Sequence, residues 1–308
     1  MKRERLFVMP SPFRDEFRIH GFRFGSGKKS LAVVGAMRGD ELQQQFVCSR
    51  LVHTLQDLEE RGELMPGHEI LIIPSANPFA MNIGKRFWAM DNTDINRMFP
   101  GYALGETTQR IAAALFEHIQ GYQFGVQLAS YYLAGDFIPH VRMMHTGYED
   151  VELAQGFGLP YTLVRNPLPI DTTTLNYNWQ IWETQAFSVY AGHTGVIDVT
   201  TADDSLSAIL RFMALHGMIR HRSHPGYHSQ VVQEEDLINV KACRAGIMYC
   251  LCKPDDLVRR HQRLASILDP YDGSVRWEVR APADGTVFFM QTRPLVLENS
   301  MLFRLIAS

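Results

Sequence analysis

The feature that most limits what this chain can become is a change of rhythm near residue 217. Before it, apolar runs of strand length alternate with segments of helical period. Residues 30–37 read as a buried strand, 40–60 as a helix with Leu51, Leu55 and Leu58 on one face and Gly62 as its stop, and 68–74 as the next strand. The pattern continues through a helix over 106–119, strands over 124–129, 137–144, 161–165 and 187–191, and a helix over 204–216. Such alternation predicts an α/β domain with a mostly parallel sheet flanked by helices, assigned here to residues 1–225. Beyond it, short apolar runs lie between Pro-Asp-Asp, Asp-Pro-Tyr-Asp-Gly and Pro-Ala-Asp-Gly turns. That composition predicts a small all-β domain over 226–308.

With 308 residues, 46% of them hydrophobic, the chain can bury one sizeable core and a smaller module. Its uncharged apolar runs fall far short of the roughly 20 residues a membrane span needs. The apolar stretch after the basic N-terminus stops at Pro10, unlike a secretory signal, so a cytoplasmic location is expected. A net charge of −3 gives no electrostatic case for nucleic acid or anionic lipid as partner. Cys48, Cys243, Cys250 and Cys252 are expected to be reduced structural thiols, the Cys-x-Cys pair lying in an apolar strand-like run. The stretch Gly25-Ser-Gly-Lys-Lys-Ser30 looks faintly like a phosphate loop, but it precedes a strand where that chemistry needs one before it, so a hairpin turn is expected.

Residues 77–105 are too polar and too rich in Gly and Pro for regular structure, and a loop of that length inside a domain is usually functional. It contains Asn77-Pro78, Arg86 and the run Asp91-Asn-Thr-Asp-Ile-Asn-Arg-Met-Phe-Pro-Gly101. Together these resemble the N-P…R-F…D-x-N-R-x-F-P-G signature of the succinylglutamate desuccinylase and aspartoacylase family, zinc enzymes that cleave N-acyl bonds of small acidic amino acids. The resemblance implies a zinc carboxypeptidase-like mixed sheet with an appended β-barrel-like domain similar to lipoyl domains. The Asp272-Gly273 and Asp284-Gly285 turns have no lysine at their tips, so a carrier role is not expected.

The same resemblance implies a G-x-H-G-x-E zinc segment, which here reads Ala36-Met37-Arg38-Gly39-Asp40-Glu41. Glu41 matches the carboxylate ligand, whereas Arg38 stands where histidine is expected, and a guanidinium has no lone pair for a cation. The third ligand, in a D-L-H segment, falls on Ala129, which cannot bind metal. The general base of a T-x-E-x-G segment falls on Tyr190, and a phenol of ordinary pKa about 10 is a poor base at neutral pH.

What the resemblance leaves in place is the substrate side: Arg86, Asn96 and Arg97 match residues that hold the substrate carboxylate and polarise the scissile carbonyl, and Pro139-His140-Val141-Arg142 matches a later segment lining the same pocket, which adds Arg142 to the substrate-binding set. An alternative in which Arg86 and Arg97 pair with Asp91, Asp94 and Glu41 to stiffen the loop stays open. The expectation is thus a pseudoenzyme or partner subunit that binds a small carboxylate-bearing ligand without a cofactor, as a homo-oligomer or beside a catalytically competent relative. The competing expectation is an active deacylase. It would use zinc rebuilt around Glu41 with His140, His145 or His193, or a metal-free route with Arg38 as electrophile and Tyr190 as proton carrier. Residues 171–182, rich in hydroxyl and amide groups, and the cluster His221, His224 and His228 receive no role.

Overall fold

A computed structural model describes residues 1–13, 15–190 and 192–308. Two compact units emerge, the first comprising residues 1–130 and 139–231 and the second residues 131–138 and 232–308. Among the described residues no helix is long and apolar enough to cross a membrane.

In the first unit, β1 (Lys2–Met9), β2 (Phe17–Gly25), β3 (Gly27–Ala36), α1 (Leu42–Glu60) and β4 (Gly67–Ser75) lead into the signature loop. That loop holds the short helix α2 (Pro78–Asn82) and a 3-10 turn at Ile95–Arg97. After it come α3 (Thr107–Ile119), β5 (Phe124–Ala129), then β6 (Gly135–Phe137), which belongs to the second unit, and again in the first β7 (His140–Met144), α4 (Val151–Gln155) and β8 (Tyr161–Arg165). A 3-10 turn at Pro169–Thr173, α5 (Leu175–Ile181), β9 (Gln185–Tyr190), α6 (Val199–Leu215) and β10 (Gln230–Gln233) complete the series. The large sheet runs β1-β2-β4-β3-β5-β9-β7-β8-β10. Its centre is parallel, β4 with β3, β3 with β5 and β5 with β9, while β2 with β4 and β7 with β9 are antiparallel. This is the mixed, helix-flanked sheet the sequence predicts.

Both sheet faces are buried, which explains why the central strands read as continuous apolar runs. On one face Val33, Ile72, Val126 and Phe187 pack with Leu51 and Leu55 of α1 and Ile209 and Phe212 of α6. On the other, Val34, Ile73 and Ala186 meet Ile111 and Leu115 of α3 and Trp179 of α5. The turn at residues 25–27 is not a hairpin, because β4 lies between β2 and β3 in the sheet. It crosses that strand end closely: a Cβ on Gly27, whose φ is +129°, would sit 2.6 Å from the Gly67 carbonyl.

The apolar run at 137–144 proves to be two strands that part at Pro139, β6 joining the second unit and β7 the first. The second unit is all-β. One sheet orders β11 (Ile238–Lys241), β18 (Met301–Ala307), β16 (Gly285–Gln291) and β13 (Leu257–Val258), with β6 on β16. The other orders β15 (Val275–Arg280), β14 (Arg263–Leu268), β12 (Gly246–Cys250) and β17 (Leu295–Val296). Their shared core contains Met248, Ile267, Val287, Leu302 and Phe303. All four cysteines are free thiols, and burial pushes Cys252 up to about 12.

Candidate functional site

Three neighbouring parallel strands end together, β3 at Ala36, β5 at Ala129 and β9 at Tyr190. Carboxyl edges of this kind are where open α/β sheets form ligand crevices. From β3 the chain turns through residues 37–41 into α1, and Glu41 folds its carboxylate back over that turn. Its Oε2 accepts from the Met37 N–H at 2.7 Å and the Arg38 N–H at 3.0 Å. Its Oε1 accepts from Arg38 Nη1 at 3.1 Å and from the hydroxyl of Ser130, the residue that follows β5.

The other edge of the Arg38 guanidinium belongs to the signature loop. Nε and Nη2 donate to Asp94 Oδ2 at 3.1 and 2.8 Å, while Asp94 Oδ1 caps the 3-10 turn through the Asn96 N–H. Arg38 is 7% exposed and Glu41 1%. Burial works against the charge on Arg38, but the Glu41 and Asp94 carboxylates outweigh it and raise the guanidinium pKa. The cation therefore stays fully charged between two anions.

This donor set does not fit zinc. Both oxygens of Glu41 accept two hydrogen bonds each, Arg38 brings only N–H groups, and the Ala129 side chain brings no donor atom. Of the histidines considered as replacements, His145 pairs with Glu149, and His140 stacks on the Tyr190 ring at 4.8 Å between centroids. His221, His224 and His228 lie in a stretch without regular structure. Among the described residues no group of three or more His, Cys, Asp or Glu side chains is arranged to hold a metal ion.

Arg86, Asn96 and Arg97 are drawn to the same edge by Gly39. The Gly39 N–H donates to the Arg86 carbonyl at 2.8 Å, and a Cβ there would lie 2.1 Å from the Lys85 carbonyl, so only glycine admits the loop. Arg86 Nη1 pairs with Asp40 Oδ2 at 2.6 Å. Asn96 turns Oδ1 inward, where Gln127 Nε2 and the Leu175 N–H reach it at 3.2 and 3.4 Å, which leaves Nδ2 to meet an acceptor. Arg97 spends Nη1 on the Ile170 carbonyl and Asp171 Oδ1; among the described residues its Nε and Nη2 make no hydrogen bond. The ion pairs thus differ from those weighed on sequence: Arg86 takes Asp40 and Arg97 takes Asp171, while Asp94 and Glu41 go to Arg38.

Asp171 accepts as well from Arg165 Nη1 at 2.6 Å and from the Leu168 N–H at 2.8 Å. Burial would raise its carboxyl, but Arg165, that N–H and the charge of Arg97 hold it below the usual range. Tyr190, matched to the general base on sequence, has its hydroxyl accepting from Arg142 Nη1 at 3.2 Å. Ala191, which belongs to the same sequence match, lies outside the described residues. Arg142 and Tyr190 border a small cavity whose wall also contains Arg165, Asn176, Gln180 and Ser188.

Sequence reasoning missed Ser130, Asp171, Arg165, Asn176 and Gln180. Asn176 and Gln180 were within reach, since two amides four residues apart fall on one face of a helix.

A family model described as the succinylglutamate desuccinylase/aspartoacylase catalytic domain matches residues 27–216. No curated protein matches in sequence. Among solved structures, a succinylglutamate desuccinylase from Silicibacter sp. TM1040 is 17% identical over 98% of this chain and 93% of its own, with a TM-score of 0.81. An aspartoacylase family protein from Mesorhizobium loti is 19% identical, covering 100% and 95% of the two chains at 0.79. The product-bound ectoine utilization protein EutE (DoeB) from Ruegeria pomeroyi is 18% identical, covering 95% and 90% at 0.78. At these identities the likeness speaks for the fold.

Proposed function

The chain belongs to the succinylglutamate desuccinylase/aspartoacylase family, and we propose that within it this protein binds a small carboxylate-bearing, N-acyl amino acid-like ligand without zinc-dependent hydrolysis. The observation that carries this reading is the buried Arg38 guanidinium clasped between Glu41 and Asp94. A zinc hydrolase needs a Lewis acid that lowers the pKa of bound water to about 7, and a base to take the proton. A guanidinium offers neither a vacant orbital nor a lone pair. It supplies one fixed positive charge, enough to keep the two carboxylates from repelling each other. The metal-free route with Arg38 as electrophile is disfavoured on the same ground, because its fork is already committed to protein carboxylates. Tyr190 brings a phenol where a carboxylate would be needed.

Ligand binding draws on groups that make no hydrogen bond among the described residues: Asn96 Nδ2 and the Nε and Nη2 of Arg97. An arginine fork beside an amide N–H suits a carboxylate. In this role the protein is a pseudoenzyme, acting alone or as a partner of a competent relative. Calorimetric titration with N-acetylglycine and other small carboxylates, in parallel with mass spectrometry of the mixtures, tests the reading. Binding that weakens with salt and is lost in Arg97→Ala, with the ligands left intact, is expected. Release of free amino acid at enzymatic rates, or equal binding by wild type and Arg97→Ala, would defeat it.

A further inference from the structure

Next to Tyr190, elements β7, β8, β9 and α5 border a cavity of about 40 Å³ lined by Arg142, Arg165, Asn176, Gln180, Ser188 and Tyr190 among others. It is too small for a whole ligand, and it has room for a polar group of a few heavy atoms. The direction of its hydrogen bonds is fixed from outside. A backbone N–H can only donate, so Leu175 requires the oxygen of Asn96; Gln127 then gives its Nε2 to that oxygen and its Oε1 to Asn176 Nδ2 at 2.8 Å. Asn176 Nδ2 also reaches Ser188 Oγ at 2.6 Å. Its carbonyl oxygen is what remains. Gln180 is set in the same way, since Nε2 donates to the Met144 carbonyl at 3.0 Å, a group that can only accept.

Among the described residues neither Asn176 Oδ1 nor Gln180 Oε1 has a hydrogen-bond partner, although the two residues are only 5% and 1% exposed. Buried acceptors without donors are costly and rare. A cavity whose wall includes both residues suits a guest that brings N–H groups. An ammonium would do so, but it would share the space with two arginines. A carboxylate would suit the arginines and turn only lone pairs toward the two amide oxygens. A primary carboxamide satisfies both sides, with two N–H groups for the two oxygens and a carbonyl for the arginine-lined wall.

We infer that this cavity is a side-chain subsite for a primary carboxamide, so that the ligand is an N-acyl amino acid of the asparagine or glutamine type. The inference rests on the carboxylate-binding reading above, to which it is joined by the Asn96–Gln127–Asn176 chain of hydrogen bonds. The experiment is calorimetry on the intact protein with N-acetyl-L-asparagine, N-acetyl-L-glutamine, their aspartate and glutamate counterparts, and N-acetylglycine. At least one amide should bind at least about tenfold tighter than its acid counterpart, because a site with unpaired buried acceptors rejects a guest that lacks donors. Gln180→Met should erase that preference while N-acetylglycine still binds. Acids that bind as well as amides, or a preference that survives Gln180→Met, would overturn the subsite and leave the carboxylate reading standing. Failure of every compound, N-acetylglycine included, would overturn both. Should Gln180→Met not fold, the wild-type ratio of amide to acid decides alone.

Discussion

Arg38→Met removes the guanidinium from between Glu41 and Asp94 while keeping an apolar side chain of similar length. The side chains of Arg38 and Glu41 are 9% and 1% exposed and that of Asp94 is 15% exposed, with ion-pair distances of 3.1 and 2.8 Å. Breaking a buried pair by removing one partner costs about 3–5 kcal/mol, since the remaining charge is left without its counter-ion. Glu41 keeps three of its four hydrogen bonds, from Met37, the Arg38 N–H and Ser130, and Asp94 can reach some water. The lower end of that range, about 3 kcal/mol, is therefore expected. Urea unfolding should show it as a lower midpoint at unchanged slope. Glu41→Gln neutralises the other side, so the pair Arg38→Met and Glu41→Gln should together cost less than the sum of the single changes, by about 1.5 kcal/mol or more. A single Arg38→Met change within about 0.5 kcal/mol of wild type, or additive costs, would refute the view that the guanidinium replaces a missing positive charge.

Asp171→Asn tests the bridge between Arg97 and Arg165. The Asp171 carboxyl is held below its usual range in the fold, so its contribution is complete above the unfolded value of about 3.9 and is lost as pH falls through the lower folded value. The variant should be less stable by about 2 kcal/mol near neutral pH, with the gap closing progressively below about pH 4; a gap that is constant from pH 7 to 2 would contradict the assignment. Gly39→Ala forces a methyl group against the Lys85 carbonyl and Ala80, both fixed backbone, and should cost about 1–3 kcal/mol by urea unfolding. The same variant should bind N-acetylglycine more weakly, because the loop that carries Asn96 and Arg97 must move; unchanged affinity would show that the loop's approach does not position them.

The strands at 124–129 and 161–165 coincide with their sequence-derived bounds because buried parallel strands announce themselves as unbroken apolar runs. The antiparallel pair at Lys2–Met9 and Phe17–Gly25 did not, since charged residues alternate along an edge that is partly solvated. Helix α6 starts at Val199 rather than 204: Asp198 caps it through the Thr200 N–H, and the β-branched Val-Thr-Thr start hides the signal. Within the site, the clash of Arg38 with a zinc role and its closeness to Glu41 were legible from residue chemistry and i,i+3 spacing. Its second partner, Asp94, lies 56 residues away, and Ser130 reaches Glu41 from 89 residues away; such pairings exist only once β3 and β5 are side by side. The amides of 171–182 were visible as composition, but which of their atoms lack partners depends on a hydrogen-bond chain that begins at a backbone N–H.

Zinc titration by calorimetry, on wild type and on the double variant Arg38→His with Ala129→His, bears most directly on whether the guanidinium has taken the place of the metal. Wild type should show no stoichiometric uptake. The double variant, in which Glu41 is relieved of its guanidinium and joined by two imidazoles, should take about one zinc per chain and lose it again when Glu41→Gln is added. One equivalent of zinc on the wild-type protein, abolished by Glu41→Gln, would contradict the proposal outright.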